Sequence, residues 1–392
     1  MERYVNIGSP SGFTDKYTTS LNTSPKGPNE SFYLCSIEFP SEFTFEDFGI
    51  IPTFFKDNEM FVHPDMIDDD LFSNCACNRE AFLVAPTSSA RTVKVIGENG
   101  WFLKLNYKGL IGRFERQIAR KQASSAIEIT NIIQDAINKK KLPKSFYIFP
   151  EVGARVVDFP DPDVNKPYEW GIVFREPLPF PHNRELKYVI PGFSLFSYDE
   201  KNPDDPTVLT QLIKNQRKPV EDFLFEDLIS PIFEAYFCLL LQCGLQLEAH
   251  AQNISFVLDE GMNIIGLVAR DAESIDKDIS LIEDLKIDIN IKTTEWKCIL
   301  REQYNYHIMH SFMFDFKLGK YLISPIIEEA LKNFPLNKEK LIDRIKSQNN
   351  SYIRQLPQDF FPLDGKWYSY DNIVHDRTKK RPYIATDNPD YR

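Results

Sequence analysis

The sequence predicts an α+β protein, with a mixed and largely antiparallel sheet body followed by a mostly helical C-terminal lobe. Three observations carry this. Between residues 31 and 85, short apolar runs such as "SFYLCSIEF" and "AFLVAP" alternate with turn signals, as strands and their connectors do. Between Arg91 and Arg270, strand-like runs are joined by Gly-containing turns and interrupted by helical periodicity. From 295 to 346 the apolar spacing is near 3.6, as in "IIEEALKNF" and "KEKLIDRIKS".

Each element follows from its residues. Residues 1–30, rich in Ser, Thr, Gly, Pro and Asn, read as loop. "RTVKVIGENGWFLKLNY" reads as strand, Gly97-Glu98-Asn99-Gly100 turn and strand, with Leu103 and Leu105 on one face and Phe102, Lys104 and Asn106 on the other. After Gly112 the spacing predicts a helix that Pro143 ends. "SFYIFPEVGARVVDF" and "EWGIVFRE" read as strands. Pro160-Asp161-Pro162-Asp163, Pro177 to Pro181 and Asn202 to Pro206 mark irregular segments. Residues 221–247 read as one long buried helix with a kink near Pro231. "ISFVLD" (Ile254 to Asp259) and "IIGLVAR" (Ile264 to Arg270) form a hairpin. The tail from Ser347 is aromatic and has no clear period. We divide the chain into residues 1–85, 86–285 and 286–392.

Composition narrows the function. A net charge of −11 and a pI near 5.2 argue against a nucleic-acid binder, and we read the charge as solubility. The six cysteines form no disulfide framework, and Cys75-Ala76-Cys77 is too tight for a usual zinc pair. The N-terminus has no apolar signal-peptide core, and the longest strictly apolar run, Ala235 to Leu241, is too short to span a bilayer. The expected place is the cytoplasm, with no membrane partner.

The polar residues gather at two places. The hairpin brings Asn253, just before its first strand, beside Asp271, just after its second. The lead-in Glu248-Ala249-His250-Ala251-Gln252-Asn253 alternates polar with small apolar residues, and if extended it puts Glu248, His250 and Gln252 on one face. Asn and Asp oxygens suit Mg²⁺, which usually brings phosphate with it. The bland alternative is a set of polar groups that hydrogen-bond the chain ends of a hairpin. In "PTSSARTV", Ser88, Ser89 and Thr92 stand beside Arg91; Lys104 is on the return strand, and Arg113 and Arg116 follow. Hydroxyls with Arg and Lys are common donors to phosphate oxygens. His307 and His310, at i and i+3, read as packing or surface, as do His182 and His375 in loops; Trp296, Trp367, Tyr368 and Tyr370 read as core.

Taken in order, these segments resemble the aerobactin-type siderophore synthetases that work without a peptide synthetase, the IucA/IucC family. "EAHAQN" is similar to the family's Glu-Ala-His-x-Gln-Asn signature, "VARDAES" to its Arg-Asp motif and "PTSSART" to its Ser-x-Arg-Thr segment. "FLKL" and "IGRFER" fall where the family has a Lys and then an Arg, and "MFVHPD", with His63, resembles its Pro-Val-His-Pro stretch. The resemblance implies a palm-like nucleotide-binding body, a thumb-like C-terminal region and an ATP-dependent, AMP-forming ligase. Such an enzyme activates a citrate-like carboxylate as its acyl-adenylate and condenses it with an amine or hydroxyl. It also implies roles. Ser89, Arg91, Thr92, Lys104 and Arg116 would grip phosphate or adenylate, Glu248, Gln252, Asn253 and Asp271 would hold nucleotide, and His250 would sit near the α-phosphate. Mg²⁺ would lie on Glu248, Asn253 and Asp271, and the partner would be a second copy or another synthetase subunit.

The sequence departs from the family at its Gly-His-Pro-x-His-Pro-x-x-Lys motif. "GSPSGFTDK" matches at Gly8, Pro10 and Lys16 but has Ser9 and Gly12 in place of the histidines. Two rivals therefore stand: a kinase-like phosphotransferase, from the order strand Lys, His-x-x-Asn, hairpin and Asp, and a nucleotide-binding pseudoenzyme or complex subunit. Against the first, no Gly-x-Gly-x-x-Gly loop is present.

Overall fold

The computed structural model describes residues 1–7, 20–73, 75–97, 100–111, 114–159, 167–291, 296–303, 305–370, 382–386 and 391–392. The Gly8 to Lys16 segment, Glu98 and Asn99, Arg113, Pro160 to Asp163 and His375 lie outside the described residues.

The body is an eight-stranded sheet with every neighbour antiparallel. Its order is Phe45–Gly49, Glu151–Phe159, Tyr168–Arg175, Phe102–Leu105, Thr92–Val95, Ala76–Pro86, Phe32–Glu38 and Glu59–Val62. Strand alternation sets its two faces. Leu103, Leu105, Ile172, Phe174 and Trp170 bury into one core. Val173 and Val156 face the opposite way and are covered by Ala123 and Ile127 of the helix Arg120–Asn138. Lys104 and Arg175 lie on that second face, beyond the helix. The 85/86 division falls inside the strand Ala76–Pro86, whose flanking strands belong to the same sheet.

The helix starts at Arg120, later than the spacing predicts. The chain before it is a short hairpin, Tyr107–Ile111 against Phe114–Arg116. Local bonds decide this. The Ile118 N–H donates to the Asn106 side chain at 2.6 Å, and the Gln117 amide donates to the Glu169 carbonyl at 3.0 Å. These groups are committed to the sheet before a helical turn can claim them.

A smaller sheet packs beside the first: Phe146–Ile148, Ile264–Ala269, Ile254–Leu258 and Tyr188–Pro191. The expected hairpin is its centre, with Ile254 opposite Ala269. Phe256, Leu258, Leu267 and Ile190 from this sheet join the largest core with Phe233, Phe237 and Leu240 of the helix Ser230–Cys243. That helix continues wider π-helical turns at Phe223–Ile229, just before Pro231. Gly244, at φ +61°, ends it, as a left-handed residue often does.

The C-terminal region is Tyr306–Ser311, π-helical Phe312–Ile323, Ser324–Asn333 and Lys338–Ile353. A hairpin of Trp367–Tyr370 with Tyr383–Thr386 follows, where the sequence showed no period. The N-terminus is not plain loop either: Val5–Ile7 pairs with Tyr198–Asp199, and the Arg3 guanidinium donates to the carbonyls of Pro25, Gly27 and Asn29. Among the described residues, no helix is long and apolar enough to cross a membrane.

Asp315 is buried in the C-terminal region, with Arg392 Nε 3.0 Å from Oδ2 and the Ser311 hydroxyl donating at 2.8 Å. Burial pushes its carboxyl up to about 6, against the pull of Arg392 and Ser311. A free aspartate titrates near 3.8. The folded chain therefore holds this proton where the unfolded chain has lost it. The stabilisation is full below that value and is lost as pH rises through about 6, a change of about 3 kcal/mol. Asp315→Asn is expected to flatten the stability profile between pH 4 and 6, read as urea midpoints; an unchanged slope removes Asp315 as its source.

Candidate functional site

The two sheets and the C-terminal helices enclose a cavity of about 1290 Å³. All ten residues singled out for nucleotide line it: Ser89, Arg91, Thr92, Lys104, Arg116, Glu248, His250, Gln252, Asn253 and Asp271. Small-molecule pockets are typically about 300–1,000 Å³, so this cavity is larger than the usual site.

The large sheet supplies the cations. Thr92 and Lys104 are register partners on adjacent strands. Lys104 sits between two carboxylates: it pairs closely with Asp271 and lies 3.2 Å from Glu273 Oε1. Arg91 reaches the same Glu273 oxygen at 3.3 Å and donates to the Arg116 carbonyl at 2.8 Å. The loop before Arg91 is held tight, because Ser89 Oγ accepts from the Thr92 N–H at 3.1 Å and Ala90 has φ +62°. Arg116 is on a strand rather than at a helix start. Burial lowers its pKa, and Arg91 adds to this.

The small sheet's hairpin supplies the oxygen donors. The Arg270 N–H donates to the Asn253 carbonyl at 3.0 Å, so the ends of the hairpin meet as the pairing predicts. Asp271 is left-handed at φ +71° and ψ +59°, which costs a non-glycine residue about 1–3 kcal/mol. It is held there by Lys104 and by bonds from the Ser274 N–H (2.9 Å) and hydroxyl (2.7 Å) to its carbonyl. Burial would raise its pKa, but Lys104 and Arg175 hold it below the usual carboxylate range. Asn253 commits its amide hydrogens to the Glu248 carbonyl and Ser274 Oγ, both at 3.3 Å, leaving Oδ1 as its acceptor.

Glu248 to Asn253 is not an extended run. The chain turns at His250, whose carbonyl accepts from the N–H groups of Asn253 (2.9 Å) and Ile254 (3.1 Å). His250 Nδ1 accepts from the Gln252 N–H at 3.1 Å. The turn, rather than alternation, presents Glu248, His250 and Gln252 to the cavity. Burial pushes His250 down to about 4, against the opposing pull of Glu248. At neutral pH its ring is uncharged, and with Nδ1 accepting, the proton is on Nε2. Burial works to raise Glu248, but Lys317 at 2.6 Å, with His250 and Lys297, brings it down to about 2.

No three His, Cys, Asp or Glu side chains converge on a metal position among the described residues. Asn253 Oδ1, Asp271 and Glu248 are nevertheless the hard oxygen donors that Mg²⁺ takes, and it usually adds phosphate and water to one or two carboxylates. A site completed by the nucleotide fits this donor set.

Several lining residues escaped the sequence reading. Lys317 comes from the C-terminal helices, Arg175 from the end of a strand, and Glu273 from inside the quoted "VARDAES". Trp296 lines the cavity instead of the core and donates Nε1–H to the Glu273 carbonyl at 3.3 Å. His310 is fully buried, hydrogen-bonded to Gln246 at 2.9 Å through Nδ1 and with Nε2 lying 3.0 Å from an Asp278 oxygen. His63 is buried too, accepting from the Asp65 N–H at 3.3 Å.

No protein-family model and no curated protein matches the chain. Solved structures do match. The ATP-bound aerobactin synthetase IucA from a hypervirulent pathotype of Klebsiella pneumoniae is 14% identical, with a TM-score of 0.69 over 92% of this chain and 70% of that one. Aerobactin synthetase IucC from the same source is 13% identical, with a TM-score of 0.67 over 92% and 70%. The petrobactin biosynthesis protein AsbB from Bacillus anthracis str. Sterne is 14% identical, with a TM-score of 0.66 over 85% of this chain. This chain spans 59% of the AsbB length. It shares the fold of these siderophore biosynthesis proteins.

Proposed function

We propose that the protein is an ATP-dependent ligase of siderophore-like metabolite biosynthesis. A polycarboxylate such as citrate would attack the α-phosphorus of ATP, releasing pyrophosphate. An amine or hydroxyl would then attack the acyl carbon, and AMP would leave. The observation that carries this is the meeting of Arg91 and Lys104 with the Asn253–Asp271 hairpin end in one cavity. One solved structure of this fold holds ATP.

In this reading Arg91, Lys104 and Arg116 hold the phosphates, and the Ser89 and Thr92 hydroxyls donate to their oxygens. Fixed cations stabilise charge that grows at phosphorus without having to reorganise. His250 offers Nε2–H as a neutral donor, and Gln252 contacts the nucleotide. Glu248, Asn253 and Asp271 hold Mg²⁺, which would neutralise phosphate charge. Asp271 and Glu273 meanwhile occupy Lys104 and Arg91, so phosphate exchanges one anionic partner for another. We assign a palm-like role to residues 86–285 and a thumb-like role to 286–392, and place the protein in the cytoplasm.

The test is the nucleotide product. With ATP, Mg²⁺, citrate and hydroxylamine, the expected outcome is AMP and pyrophosphate in step with hydroxamate. ADP would mean phosphotransfer. ATP binding with no turnover would mean a nucleotide-binding pseudoenzyme.

A further inference from the structure

One contact in the cavity belongs to none of these roles. The Glu2 carboxylate is gripped at both oxygens. Oε2 accepts from the Ser88 N–H at 3.2 Å and, closely, from the Ser88 hydroxyl; Oε1 pairs with the Arg270 guanidinium. Ser88 has no exposed surface. Glu2 and Arg270 line the cavity and Ser88 does not, so Glu2 covers Ser88 and occupies the guanidinium that faces the cavity. Burial would raise the Glu2 pKa, but Arg270 and Ser88 lower it, so it is held as the anion.

The donors are fixed independently of Glu2. The Arg270 Nε–H donates to the Gln252 carbonyl at 2.5 Å, and the Arg270 N–H to Asn253. Ser88 is in the tight loop closed by Thr87 and Thr92, where the Thr87 hydroxyl donates to the Thr92 carbonyl at 2.7 Å. The Glu2 backbone is pinned too, by the Arg3 clamp and the Val5–Ile7 strand. A rotation of the Glu2 side chain alone would release from Glu2 a guanidinium, a hydroxyl and an N–H arranged around its two oxygens. That is a carboxylate's recognition pattern.

We propose that Ser88 and Arg270 form a subsite for one carboxylate of the acid substrate, and that Glu2 fills it as an in-chain competitor until substrate displaces it. The acid is then a polycarboxylate, since one carboxylate must reach the nucleotide while another takes this notch. The assignment to substrate rests on the ligase reading, but binding is measured without turnover.

The experiment is calorimetric titration with citrate, without nucleotide, of the full chain and its Glu2→Ala variant. Inorganic phosphate and pyrophosphate serve as separate arms. An in-chain carboxylate competes at an effective concentration of roughly millimolar or more, so Glu2→Ala is expected to bind citrate roughly tenfold tighter or better. Adding Ser88→Ala should reverse the gain. If Glu2→Ala does not fold, Glu2→Gln, which keeps an acceptor for Ser88 but loses the charge, should show a smaller gain. Unchanged or weaker citrate binding, or a gain confined to phosphate and pyrophosphate, overturns the proposal. A citrate gain without AMP formation would sink the ligase reading and leave the notch standing. AMP formation without the gain would do the reverse.

Discussion

Lys104→Ala is expected to lower AMP-forming turnover by roughly 100- to 1000-fold, the range seen when one fixed donor to a developing oxyanion is removed. The size follows from position. Lys104 is almost fully buried on a rigid strand and is flanked by Thr92 and Val173 in register. The adjacent cations are placed by other contacts, Arg91 by the Arg116 carbonyl and Arg175 by Glu151. The variant also strips Asp271 of its closest cation while leaving it in a left-handed conformation. Lys104→Met, which keeps the apolar stem, separates the two effects: turnover should fall as far, with a smaller loss of thermal stability. Turnover within threefold of the parent in both variants would remove Lys104 from the phosphate-binding role.

The strands and the hairpin were legible because alternation is a local property. Leu103 and Leu105 go to the core and Lys104 to the cavity with no help from distant residues. That the two polar segments share a cavity was legible only through the ordered motifs, since Arg91 and Glu273 are 182 positions apart. Local pattern misled where side chains bond backbone. "EAHAQN" alternates like a strand, yet the His250 ring captures the Gln252 N–H and closes a turn. "RFERQIARK" has helical spacing, yet Asn106 takes the Ile118 N–H. Lys317, Arg175 and Glu2 were invisible for another reason. Each owes its place to an ion pair that only the fold brings together, with Glu248, Glu151 and Arg270 respectively, and a lone charged residue in a sequence reads as solvated surface.

Glu151→Ala is expected to destabilise the fold by about 3–5 kcal/mol, the cost of leaving a buried charge without its partner. Glu151 and Arg175 face each other across adjacent strands, 2.5 Å apart at Oε1 and Nη2. Glu151 has no exposed surface and Arg175 has 7%. Without Glu151, the guanidinium keeps Asp271, at 4.0 Å, as its nearest counter-ion among the described residues. It would therefore compete with Lys104 for Asp271, so loss of Glu151 should also appear as altered nucleotide affinity. Replacing both partners, Glu151→Leu with Arg175→Met, removes both charges, and buried pairs exchanged for apolar residues are often neutral in stability. The double variant should recover most of the lost stability, measured by urea unfolding. It should still bind ATP more weakly than the parent, because Arg175 lines the cavity. A single variant that loses less than about 1 kcal/mol, the scale of an exposed pair, would mean that the ion pair does not fix Arg175 beneath Asp271.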